Sequence, residues 1–160
     1  MDLAQKPPTR RPGSLFQPTA SLSTLFKLEP LDAVQVVKRG IPARFLVRIS
    51  QEMDRPMRQI VRLLGLAQST AARKIEANAT LNVDESERVL GLAKLIGQVQ
   101  TIVQESGQPE GFNAAHWVSE WLTRPAPALG GKRPDELMDT SEGRRIISEL
   151  VSRMQSGAYS

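Results

Sequence analysis

Residues 82–105 read NVDESERVLGLAKLIGQVQTIVQE, and this stretch decides the fold. Asn82 followed three residues later by Glu85 is a capping box, which satisfies two orphan backbone N–H groups at a helix start. Behind it Val89, Leu92, Ala93, Ile96, Val99 and Val103 recur at helical spacing. Leu90, Leu95 and Ile102 broaden the stripe, which suggests burial on more than one side. At ~1.5 Å per residue over roughly 24 residues, the helix is about 36 Å long. Ser106-Gly107-Gln108-Pro109 breaks it.

Four helices are expected upstream. Leu31, Val34 and Val37 make the stripe of the first, which ends at Gly40. Pro42 suits the first turn of the second, and Phe45, Leu46, Ile49 and Met53 give its buried face. Asp54 caps the third, which carries Met57, Ile60, Val61 and Leu64 and stops at Gly65. The fourth covers residues 67–79 with Ile75 as its core anchor. A short lead-in helix fits residues 21–30. Residues 1–20 hold Pro7, Pro8, Pro12 and Pro18 with Lys6, Arg10 and Arg11, and read as a disordered arm.

Downstream, residues 112–122 form a short helix with Trp117, Val118 and Trp121 turned inward. A rigid turn follows. Pro125, Pro127 and Pro134 fix φ, and Gly130 and Gly131 allow backbone that other residues resist. The last helix opens on Asp139, with Glu142 completing a second capping box. Ile146, Ile147, Leu150, Val151 and Met154 share a face, and Gly157 stands at the C′ position. No stretch reads as a strand, so the class is all-α, divided as residues 1–20, 21–80 and 81–160.

Composition narrows the function. Residues 1–80 carry 13 Lys and Arg against 6 Asp and Glu, and residues 81–160 carry 8 against 11. A basic first half and an acidic second half point to a polyanion partner for one and a protein partner for the other. There is no cysteine, which excludes disulfides and thiolate chemistry and fits a reducing cytoplasm. No run reaches the ~18 apolar residues of a membrane span. The one histidine, His116, lies beside Trp117 in an amphipathic segment, where packing explains it. Asp84-Glu85-Glu87 and Asp135-Glu136 sit at helix starts, where they suit the macrodipole. No enzyme, cofactor or metal site is expected.

Residues 57–76, MRQIVRLLGLAQSTAARKIE, carry a helix-turn-helix frame in Ile60, Leu64, Gly65, Leu66 and Ala71. Over residues 31–79 the chain resembles phage-repressor-like, Xre-type domains. That resemblance implies that Gln68 and Ser69 reach major-groove base edges. Thr70, Arg73 and Lys74 are candidates for further base or phosphate contacts. A glutamine amide pairs bidentately with adenine, and arginine or lysine reaches guanine or phosphate.

Over residues 83–160 the chain looks like the toxin-binding domain of Xre/MbcA/ParS-type antitoxins. The motif runs Trp121-Leu122, Pro125, Pro127, Leu129-Gly130-Gly131, Pro134, Leu137, Asp139-Thr140, Glu142-Gly143, Arg153-Met154 and Gly157-Ala158-Tyr159-Ser160. The resemblance implies a RES-domain toxin as partner, an NAD-consuming enzyme whose active-site cleft receives the antitoxin C-terminus. It also implies repression of the chain's own operon through operator DNA, usually as a homodimer. The toxin-facing residues are then Arg153, Gly157, Ala158, Tyr159 and Ser160, with Tyr159 as an amphipathic plug. The rival reading is a helix-turn-helix regulator with no toxin partner.

Overall fold

The computed structural model describes residues 12–107 and 109–157. Eight α-helices follow in order: α1 (Leu22–Phe26), α2 (Pro30–Arg39), α3 (Phe45–Met53), α4 (Met57–Leu63), α5 (Gln68–Glu76), α6 (Val83–Glu105), α7 (Ala114–Trp121) and α8 (Ser141–Gln155). Short 3-10 turns occupy Pro12–Phe16, Pro127–Leu129 and Pro134–Leu137. The described residues contain no strand, and Pro42 and Thr80 form an isolated antiparallel bridge. The class is all-α.

α6 is the spine. Its capping box forms as expected: the Glu85 N–H donates to Asn82 Oδ1 at 2.8 Å, and the Asn82 N–H donates to Glu85 Oε1 at 2.9 Å. Val89, Leu90, Leu92, Ala93, Leu95, Ile96 and Val99 are all buried, so the helix is covered on several sides. α1, α2, α7 and α8 pack on it. The tightest crossing is with α1. A Cβ at Gly97 would stand 2.2 Å from the Leu22 carbonyl oxygen, so only glycine admits this backbone approach.

Several local expectations shift register. α2 turns Ala33 and Val36 into the core, while Leu31 is 80% exposed and Val34 45%. Its valines at 34, 36 and 37 support two alternative stripes, and contact with α6 selects the one led by small Ala33. Asp54 does not open α4. It closes α3 in the left-handed conformation (φ 51°), and α4 starts behind Pro56 with no side-chain cap. Pro42 lies in the bridge to Thr80, flanked by Ala43 N–H to Ala79 O at 2.9 Å and Leu81 N–H to Ile41 O at 2.8 Å. α3 therefore begins only at Phe45. In α5 it is Ala71 that is buried, with Ile75 half-buried.

At the other end, Thr140 caps α8, accepting from the Gly143 N–H at 3.0 Å. Asp139 was expected there. The start of α8 sits so close to Leu137 that a Cβ at Gly143 would meet the Leu137 carbonyl oxygen at 1.8 Å. That contact fixes the helix start one residue later than the local motif suggests. Ile147, Leu150 and Val151 are buried as expected, whereas Ile146 and Met154 are exposed. Trp117 and Trp121 stack with centroids 5.6 Å apart, both half-buried.

Residues 12–20, expected within the disordered arm, pack onto α3. Leu15 is buried, Phe16 meets Phe45 edge-on at 5.0 Å, and Arg48 donates to the carbonyls of Gln17 and Ala20. Residues 1–11 lie outside the described residues. Leu25, Ile49, Ile60, Leu92, Ile96, Leu122 and Ile147, drawn from both halves of the sequence, belong to one buried cluster.

Candidate functional site

The first candidate surface is the helix pair α4–α5. Gly65 takes φ +68° in the turn, a conformation that costs other residues roughly 1–2 kcal/mol. The turn delivers Gln68, Ser69 and Thr70 at the N-terminus of α5. Gln68 and Ser69 are exposed and Thr70 is half-buried. The Gln68 amide donates to the Arg58 carbonyl at 2.9 Å, which ties the start of α5 to α4. Arg73 is exposed and forms no salt bridge with another described residue.

Lys74 is placed differently. Its ammonium bonds the Glu85 carboxylate at the start of α6, and its side chain is only 18% exposed. The Glu85 carboxyl balances opposing influences. Burial raises its pKa, but the Lys74 bond, the Asn82 N–H and the Lys74 charge together bring it below the ordinary carboxylate value. Lys74 thus braces α5 against the spine. Sequence reading missed this because the two residues belong to different helices. Arg58 and Arg62, which sequence reading did not single out, are exposed on α4 and add positive charge to the same unit.

The second candidate surface is the end of α8. Arg153 and Met154 are exposed in the last turn, and Gly157 takes φ +67° with nothing within 4 Å of a Cβ built there. Ala158, Tyr159 and Ser160 lie outside the described residues. Earlier in α8, exposed Arg145 bonds both Glu142 and Glu149. Arg144 is half-buried. Its aliphatic stem covers Gly91, and its guanidinium donates to the Met138 carbonyl at 2.9 Å. Burial first, then the nearby Arg88 charge, lowers its pKa. His116 is exposed and faces Glu120 at 3.9 Å.

Two arginines tie the first half of the chain to the second. Arg88 donates to the carbonyls of Leu64, beside the helix-turn-helix glycine, and Asp139, just before α8. Arg55 donates to the hydroxyl and carbonyl of Ser119 in α7, at 2.6 and 3.0 Å. Among the described residues no helix is long and apolar enough to cross a membrane.

Residues 32–94 match the antitoxin Xre-like helix-turn-helix domain, and residues 111–157 match the antitoxin Xre/MbcA/ParS C-terminal toxin-binding domain. The chain is 39% identical over 142 residues to a Sphingobium protein named Prs ADP-ribosylating antitoxin, covering 89% of each chain. It is 24% identical over 127 residues to Antitoxin Xre of Yersinia enterocolitica, covering 79% of this chain and 80% of that one. Antitoxin Xre of Photorhabdus laumondii is 21% identical over 126 residues, covering 78% and 79%. With an Xre-like helix-turn-helix unit in front and a toxin-binding domain behind, the chain belongs to the Xre/MbcA/ParS family of type II antitoxins.

Proposed function

We propose that this antitoxin neutralises a RES-type, NAD-consuming toxin by placing its C-terminus in the toxin's active-site cleft, and that it represses its own operon as a homodimer. The observation that carries the first half is the end of α8. There Arg153 and Met154 are exposed and Gly157 turns the chain off the helix with open space around it. A cleft that binds a dinucleotide pyrophosphate is cationic, and the half that meets it here is acidic, with 11 Asp and Glu against 8 Lys and Arg. The name of the Sphingobium relative includes ADP-ribosylation, a chemistry that consumes NAD.

The DNA-binding half rests on α5, whose N-terminal turn presents Gln68, Ser69 and Thr70 with Arg73 one turn on. The helix N-terminus itself favours a phosphate. Operon repression is the role that suits such a unit fused to a toxin-binding domain.

Co-expression tests the reading. The toxin encoded beside this gene is induced alone and together with the antitoxin, and growth and cellular NAD are followed. Rescue of both is expected. A toxin that leaves NAD intact, or continued arrest in the presence of the antitoxin, overturns it.

A further inference from the structure

We propose that the outer face of α2 is the homodimer interface, with two copies pairing antiparallel across a two-fold axis. The inference rests on the homodimer part of the proposed function and on nothing about the toxin. Its starting point is an apolar stripe without a cover: Leu31 is 80% exposed and Val34 45%, and Val83 nearby on α6 is 53% exposed. Between α2, α6 and the start of α8 runs a groove of about 390 Å³, its apolar lining Val34, Val37, Val83 and Leu90, with Ser141 and Arg144 of α8 on one wall. Exposed apolar groups bordering an apolar groove, with a charged rim that includes Lys38, Glu87 and Lys94, mark a protein-binding surface.

The charges on α2 identify the occupant as a second copy. At ~100° per residue, Leu31, Val34, Gln35 and Lys38 lie along one stripe. Asp32 and Arg39, seven residues apart, flank that stripe on the same side, and both are exposed. Neither forms a salt bridge with another described residue. A two-fold axis passing between Gln35 and Val36 brings Asp32 of one copy level with Arg39 of the other, twice. It also sets the helix dipoles antiparallel and lays each Leu31 against the C-terminal end of the other copy's α2, level with Gly40. An isologous interface requires this kind of self-complementarity. The toxin-binding match at residues 111–157 takes in Ser141 and Arg144 on one wall of the groove, but Leu31, Val34 and the Asp32 and Arg39 pair that decide the occupant all lie on α2, in the helix-turn-helix match, so the toxin is the weaker candidate. DNA is disfavoured by a patch that offers leucine, valine and aspartate to phosphates.

Sedimentation equilibrium on the full chain tests the interface, with circular dichroism melts as the folding control. Leu31→Glu is expected to raise the dimer dissociation constant about tenfold or more, from the lost burial of one leucine per copy. Its fold should be unchanged, since Leu31 contributes nothing to the core. Asp32→Arg alone should weaken the dimer, and Asp32→Arg combined with Arg39→Asp should restore it. A wild-type chain that stays monomeric at every concentration overturns the homodimer itself. A dimer that tolerates Leu31→Glu overturns this interface and leaves the homodimer standing. Loss of toxin co-purification by Leu31→Glu with the dimer intact assigns the face to the toxin and also overturns it.

Discussion

One nitrogen of the Arg88 guanidinium donates to the main-chain carbonyl of Asp139 at 2.6 Å, and to that of Leu64 at 3.0 Å. The guanidinium therefore clamps the helix-turn-helix turn to the segment that leads into α8, with Asp84 one turn back on α6 as its carboxylate partner. Gly65 lies directly beneath: a Cβ there would meet the Arg88 guanidinium at 2.8 Å and the Asp139 Cβ at 3.1 Å. Arg88→Met is expected to cost about 1–3 kcal/mol, because it leaves two carbonyls without this donor. Melting should fall by roughly 2–4 °C per kcal/mol. Calorimetry checks it, and an unchanged transition would show that the clamp contributes nothing to stability.

Two glycines allow backbone to meet backbone. A Cβ at Gly97 would lie 2.2 Å from the Leu22 carbonyl oxygen, and one at Gly143 would lie 1.8 Å from that of Leu137. Gly97→Ala and Gly143→Ala should each destabilise by about 1–3 kcal/mol or more, as overpacking does. Gly91→Ala is the control. Its Cβ would press only on the Arg144 side chain, which can move aside, so its urea midpoint should stay near wild type.

The Lys74–Glu85 pair predicts a pH dependence. The folded state holds the Glu85 pKa below its ordinary value of 4.5. A depressed carboxylate pKa contributes stability above the unfolded value and loses it as pH falls through the folded one. The stability difference between wild type and Glu85→Gln should be fullest at neutral pH. It should shrink as the pH falls through and below the usual carboxylate range. Urea melts across that window measure it. A difference that grows on acidification would reverse the sign and refute the pairing.

On α5, Arg73 and Lys74 should separate. Arg73→Ala is expected to weaken operator binding and, if it contacts phosphate, to reduce the salt slope by about 1. Gln68→Ala should cost about 1–3 kcal/mol per lost base contact. Lys74→Met should act chiefly on the melting temperature, because its ammonium is engaged by Glu85. Gel shifts at several salt concentrations, beside thermal melts, distinguish the two effects.

Removing residues 157–160 should leave the toxin complex assembled but relieve inhibition, since α8 and its buried face remain. Pull-down and growth rescue are the two readouts. A truncated antitoxin that still protects cells would rule out insertion of the tail.

Where a structural choice is local, the amino-acid order settled it. The Asn82–Glu85 box, the turn glycine at 65, the C′ glycine at 157 and the inward face of Ile147, Leu150 and Val151 follow from contacts within one or two helical turns. The all-α class and the resemblance to the antitoxin family were legible for the same reason. Where two local solutions were close in energy, partners distant in sequence decided. α6 selected Ala33 and Val36 over Leu31 and Val34 as the buried side of α2. The Leu137 carbonyl against Gly143 moved the cap of α8 from Asp139 to Thr140. Glu85 drew Lys74 into an ion pair with α6, and Met138 with Gly91 drew Arg144 off the surface. Helical periodicity constrains which residues share a face, but only the neighbours that arrive in three dimensions determine which face is covered.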